Sequence, residues 1–271
     1  MPRAYGGGVT NAFAERPLPV PAALRPWFTD LGTVAVDRPA EEPFAHVPDT
    51  ATKVVVRAGA DGRRDALVVG PRTRATYHAD PAERPVSCVQ LRLAPGAVGP
   101  LFGVPAVDLV GRVVPLAGLP AAPARRLARA LTGVAREEIT GRLAELLPPA
   151  EDGPRERLLR AAADALSTRR DRTPAQVREV ARRLAVSERQ LRNLFADGIG
   201  VSPKHYARID RVRHVLTHAA TAPWAELAAA TGYYDQSHLT ADFRTLMGVP
   251  PGAFLTGRLP RATPCGALPR G

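Results

Sequence analysis

The last hundred residues carry one helical pattern written twice, and that repeat leaves few folds open. Thr173-Pro174 reads as a helix start, a Thr cap with Pro in the first turn. Val177, Val180, Ala181 and Leu184 then fall at i, i+3, i+4 and i+7. Ala185-Val186 breaks that helix. Ser187 opens the next, with Gln190 three residues on as a capping box, and Leu191, Leu194 and Phe195 form its inner face. The plan recurs downstream. Pro223 starts a helix holding Trp224, Leu227 and Ala228; Thr231-Gly232 makes a turn; Asp235 caps a helix that buries Leu239 and Phe243. The copies align at a spacing of about 46 to 47 residues. Ala181 and Ala228 are small enough for two helices to cross closely, and Gly232 accepts a turn's backbone angles where the first copy has Ala185. Two short helices joined by a tight turn make a helix-turn-helix unit. Residues 203–216 between the copies read as one continuous helix, roughly 22 Å long at 1.5 Å per residue.

The chain before the repeat has a different texture. Short apolar runs at Thr33–Val36, Lys53–Arg57, Ala66–Val69 and Val86–Leu93 are separated by Asp61-Gly62, Gly70-Pro71 and Pro95-Gly96. Such runs between turn residues predict strands. From Pro123 the spacing becomes helical through Leu127, Leu131, Ile139, Leu143 and Leu146. Pro148-Pro149 ends that stretch, and Pro154 opens another with Leu158, Leu159, Ala162 and Leu166. The predicted fold class is α+β, a small β-rich barrel or sandwich followed by an all-α domain with two helix-turn-helix units joined by a linker helix. The expected divisions are a loose tail over 1–20, a β-rich sensing or dimerisation domain over 21–120, connecting helices over 121–168, the double unit over 169–259, and a loose tail over 260–271.

Charge points to a partner. The formal net charge is +11, and a protein this basic usually meets something acidic, nucleic acid first. Only Lys53 and Lys204 are lysines, so part of the Arg content reflects the codon usage of a GC-rich genome. The excess is uneven. Arg172–Arg213 carries ten basic and four acidic residues, a net of +6, whereas His214–Arg258 carries two basic and three acidic, a net of −1. The two cysteines, Cys88 and Cys265, match no metal or redox spacing. The N-terminus has no continuous apolar stretch, and no segment has the length a membrane span needs. A cytoplasmic location without membrane contact is expected. His46 and His78 stand 32 positions apart, too far for a clustered metal motif, and Arg57, Arg72, Arg74 and Arg92 read either as surface residues or as an anion site. No phosphate loop, Ser/His/Asp arrangement or zinc spacing is legible, so no catalytic residue, metal or cofactor is assigned. The alternative held open is a cupin-type metal-dependent enzyme, or a DNA-repair protein with an appended DNA-binding domain.

The segments SERQLRNLFADGIGVSPKHYARIDRVRHV and LAAATGYYDQSHLTADFRTLMGVPPGAF resemble the AraC/XylS family of bacterial transcription regulators. The resemblance spans residues 172–258 and implies a seven-helix domain with two reading helices on one face. It also implies a variable N-terminal domain that senses a signal or dimerises. VVGPRTR and LAPGAVGPLFGVPAVDLVGRVVPL further upstream are similar to an actinobacterial regulator domain of cupin-like character. By position, Arg189, Gln190, Arg192 and Asn193 form the reading face of the first unit, and Gln236, Ser237, His238 and Thr240 that of the second, beside Ala241. The family usually has Arg where Ala241 stands and Gly where Ala185 stands. Arg and Asn suit the role because their paired donors and acceptors match guanine and adenine edges in the major groove. A linker near 22 Å, plus the width of each unit, would place the two helices about one DNA turn apart, roughly 34 Å.

The implied function is a sequence-specific regulator, an activator by the family's habit. Its partners are double-stranded DNA and RNA polymerase, with a small-molecule effector and a homodimer both open. The charge asymmetry predicts that the first unit anchors and the second adds less. His238 reads equally as a DNA contact or an internal hydrogen-bonding group. Tyr233, Tyr234 and Trp224 read as core in preference to base-stacking residues, and Arg182 and Arg183 as phosphate contacts or a solvated face.

Overall fold

A computed structural model describes residues 14–35, 44–59, 61–81, 87–149, 153–168, 174–219 and 222–265. Six strands form the larger sheet: β1 (Ala14–Leu18), β2 (Phe28–Ala35), β4 (Lys53–Ala58), β5 (Arg64–Val69), β7 (Ser87–Leu93) and β8 (Val113–Pro115). Their order is β1-β2-β7-β4-β5-β8, antiparallel throughout. The described part of each predicted apolar run lies in this sheet, Val36 and Val86 falling outside the described residues, and alternate residues bury one face of two strands: Val54 and Val56 on β4, Val89, Leu91 and Leu93 on β7. Pairing ends at β1 and β8, so among the described residues the region is a sheet with edges and not a closed barrel.

Three helices cover that sheet: α1 (Val98–Phe102), α2 (Ala122–Thr132) and α3 (Ile139–Leu146). Phe28, Leu91, Phe102, Leu116, Leu131 and Leu143 lie in their shared core, and Trp27 Nε1 donates to the Pro148 carbonyl at 3.1 Å. The smaller sheet, in the order β3-β6-β9, combines β3 (Phe44–His46), β6 (Thr76–Pro81) and β9 (Thr263–Cys265). The tails expected to be loose therefore each supply a strand. β1 pairs with β2, and β9 runs parallel to β6, where Thr263 Oγ1 donates to the Tyr77 carbonyl at 3.3 Å. In both cases the segment answers backbone groups that an edge strand would otherwise leave open.

The helical region contains α4 (Pro154–Leu166), α5 (Val177–Arg183), α6 (Glu188–Gly198), α7 (Pro203–His218), α8 (Trp224–Ala230), α9 (Gln236–Met247) and α10 (Pro251–Leu255). Leu159, Ala162, Ala163 and Leu166 of α4 share one core with Val180, Leu191, Leu194 and Phe195. α4 thus packs as part of the first helix-turn-helix unit, and the helical region begins near Pro154 instead of 169. The predicted Thr173-Pro174 start is displaced as well. Thr173 lies outside the described residues, and α5 begins at Val177 because Gln176 is extended (ψ 148°) and Ala175 N donates to the Ala165 carbonyl at 3.0 Å.

The two regions share backbone and core. Gly96 N donates to the Gly198 carbonyl at 3.1 Å. Gly200 has φ +95°, and a Cβ there would stand 2.8 Å from the Ala106 carbonyl oxygen, so this turn tolerates only glycine. Ala75 N donates to Leu246 O at 2.8 Å and Tyr77 Oη to Met247 O at 2.6 Å. Ala45 and Tyr77 lie in the same core as Leu239, Phe243 and Met247.

Candidate nucleic-acid interface

Each unit presents its second helix from a capped N-terminus. Ser187 Oγ accepts from Gln190 N at 3.1 Å, and Ser187 N donates to Gln190 Oε1 at 2.8 Å, closing the capping box that the pattern predicted. Asp235 Oδ1 accepts from His238 N at 2.7 Å. Leu191, Leu194 and Phe195 are buried under α6, as Leu239 and Phe243 are under α9. Arg189, Gln190, Arg192 and Asn193 are exposed on α6. On α9, Gln236, Ser237, His238 and Ala241 are exposed and Thr240 is half-buried.

Two of the eight predicted contact residues are turned to local work. Gln190 spends its amide oxygen on the cap. His238, at the matching place in α9, packs its ring edge-on to Tyr233 with centroids 5.2 Å apart. Arg189, Arg192 and Asn193 remain as the long side chains of the first face, and among the described residues neither arginine forms an ion pair. Their counterparts one repeat on are Ser237, Thr240 and Ala241. Every long reader in the first unit thus faces a short or apolar residue in the second.

The linker helix is held from within. Arg208 donates to the Asp242 carboxylate from Nε at 3.0 Å and from a terminal nitrogen at 2.8 Å, and a terminal nitrogen of Arg211 lies 3.6 Å from its other oxygen. The Arg211 guanidinium also lies 4.5 Å over the Tyr233 ring. Arg213 donates to the Pro48 carbonyl at 3.0 Å and stands 3.6 Å from Asp49. On α5, Arg182 and Arg183 both donate to Glu179, at 2.9 and 2.7 Å, and those bonds hold its carboxyl down at about 2. Five of the nine described basic residues in this stretch therefore have protein partners, Arg172 lying outside the described residues. Counting charge along a sequence does not separate structural arginines from those offered to solvent: Asp242, counted with the second unit, is the partner of Arg208 in the linker.

The tyrosines divide. Tyr233 is buried, and burial pushes its hydroxyl pKa up. Tyr234, which the pattern placed in the core, is 95% exposed. The helical period ends at Gly232, so residue 234 stands on the turn and not on an inward face. In the sheet region, His46 and His78 do meet, with ring centroids 5.4 Å apart, and burial together with Arg72 pushes His46 down to about 3. No group of three His, Cys, Asp or Glu able to hold a metal occurs among the described residues. Cys88 is buried, and burial pushes its thiol up to about 11. No helix among the described residues is long and apolar enough to cross a membrane.

Residues 180–257 match the model of a helix-turn-helix domain, the AraC-type one. Solved structures are similar, these three among them. The C-terminal domain of AraT, a response regulator from Geobacillus stearothermophilus, is 22% identical, covering 41% of this chain and 92% of that one, with a TM-score of 0.35. ToxT from Vibrio cholerae is 8% identical over 86% of this chain and 98% of its own, with a TM-score of 0.40. A form of ToxT from Vibrio cholerae bound to an unsaturated fatty acid is 10% identical over 82% and 94%, with a TM-score of 0.38. No curated protein matches.

Proposed function

We infer that this chain, a DNA-binding transcription regulator through the AraC-type helix-turn-helix domain of its C-terminal third, reads two adjacent major grooves with α6 and α9. The observation that carries this reading is the pair of capped helices whose exposed faces are held outward by buried Leu and Phe residues. A recognition helix docks by its N-terminal residues, and those are the positions both caps order. Arg189, Arg192 and Asn193 contact base edges or phosphates in the first groove, and Gln236, Ser237 and Thr240 face the second. The first unit supplies most of the affinity, because its side chains are charged and long and those of the second are neutral and short. At 16 residues α7 is about 24 Å long, a rigid spacer of the size that neighbouring grooves require.

The sheet region is the sensing or dimerising part, acting on α7 and α9 through the contacts of β3, β6 and Asp49. The regulator activates, by contact with RNA polymerase. The experiment is mapping of genomic binding sites with the full chain, followed by titration of the recovered duplexes at several salt concentrations. A preferred site spanning two successive major grooves, with protection stronger at one half, is the expected result. Failure to bind any duplex at low salt, or protection confined to one groove, overturns the two-groove reading.

A further inference from the structure

The two helix-turn-helix units are not copies of equal length. Up to the turn their hydrogen bonds repeat at 47 residues: Ala185 N to Arg182 O matches Gly232 N to Ala229 O, and Val186 N to Ala181 O matches Tyr233 N to Ala228 O. From the cap onward they repeat at 48: Ser187 matches Asp235, and Leu191 N to Ser187 O matches Leu239 N to Asp235 O. The second turn therefore holds one more residue, and that residue is Tyr234. It stands directly before the cap of α9 and is 95% exposed, while Tyr233 beside it fills the core. The core accounts for Tyr233 and the cap for Asp235, whereas among the described residues nothing in the packing uses the ring of Tyr234.

The face it adjoins lacks reach. Ser237, Thr240 and Ala241 stand where the first unit has Arg189, Arg192 and Asn193, and α9 carries no basic side chain before Arg244. We propose that Tyr234 is a DNA-contact residue of the second unit, its ring lying against a deoxyribose and its hydroxyl donating to a phosphate oxygen at the edge of the groove that α9 enters. Tyrosine hydroxyls are among the groups that fix a protein's register on the backbone, and a rigid side chain with two torsions loses little entropy in doing so. This rests on the reading of α9 as a groove-facing helix.

The test uses the full chain, a duplex carrying the mapped site, and a random-sequence duplex of the same length. Tyr234→Ala should weaken binding to both by about tenfold, the worth of one hydrogen bond to a charged acceptor. The slope of log affinity against log salt should stay unchanged, because no cation is lost. Arg192→Ala should instead flatten that slope by about one. Tyr234 should also react with tetranitromethane in the free chain and be protected in the complex. Binding by Tyr234→Ala within about twofold of the unaltered chain, at a duplex where Arg192→Ala is impaired, overturns this inference alone, as does nitration of Tyr234 that DNA does not suppress. Failure of the unaltered chain to bind either duplex overturns the groove-facing reading as well.

Discussion

Replacing Asp49 by Ala should loosen both regions of the molecule at once. Its carboxylate is buried where the sheet meets the linker helix. Arg92 of β7 grips it bidentately at 2.7 and 2.8 Å, Lys53 of β4 approaches to 2.9 Å and Arg213 of α7 to 3.6 Å. The backbone N–H of Ala51 adds a bond at 3.1 Å. Burial alone would raise its pKa, but Arg92, Arg213 and Lys53 overcome that and hold it well below the usual carboxylate range. Removing one member of a buried ion pair costs about 3–5 kcal/mol, mostly from the charges left behind. The three cations keep side-chain exposures of 24% to 33%, so water relieves part of the repulsion and the expected loss is at the lower end, about 3 kcal/mol. The assay is urea unfolding of single-tryptophan variants, with Trp27 reporting on the sheet and Trp224 on the second helix-turn-helix unit. Both transitions should move, and Arg213→Ala should couple to Asp49→Ala by at least about 0.5 kcal/mol in a double-mutant cycle. The pH dependence has a definite sign. A depressed carboxylate stabilises the fold above the ordinary aspartate pKa of about 3.9, and that contribution fades as pH falls toward its lower folded value. The stability gap between the unaltered chain and Asp49→Ala should therefore narrow below about pH 4. A loss under about 1 kcal/mol at neutral pH, or a gap constant into acid, would refute the reasoning.

Arg192→Ala should weaken duplex binding by about tenfold or more, whereas Gln236→Ala should change it by less than about threefold; equal losses in a fluorescence titration would remove the ranking of the two units. Ala185 has φ +53° and is the sole non-glycine residue with positive φ among those described, so Ala185→Gly should raise stability by up to about 1 kcal/mol, read from the urea midpoint. Tyr77→Phe deletes the buried bond to Met247 O and should lower the Trp224-reported midpoint by about 1–2 kcal/mol, leaving the Trp27-reported transition less affected; an unchanged Trp224 midpoint would show that β6 does not support α9.

Much of the helical region was legible because its signals are local. The Ser187–Gln190 box, the Asp235 cap, Gly232 at positive φ and the inward Leu and Phe residues all act within one or two turns of chain. The strands at 53–58, 64–69 and 87–93 were legible for the same reason, since alternation and turn residues lie next to one another in sequence. The apparent period of 46 to 47 hid the inserted Tyr234, because it rests on the pairs Ala181–Ala228 and Ala185–Gly232, all of which precede the insertion.

Sequence alone determined what each short segment becomes: which stretches coil, where they stop, and which face of α6 and α9 is apolar. It did so because helix caps, turns and period are fixed by neighbours a few residues apart. Tertiary structure decided which groups meet across long separations. It placed Arg208 and Arg211 on Asp242, Arg213 on Asp49, β9 beside β6, and α4 within the first unit's core. A charge or an apolar side chain has no preferred partner along the chain. Its partner is set by which surfaces close packing brings within a few ångströms, and that ties Arg208, Arg211 and Arg213 of the basic stretch to carboxylates of other elements.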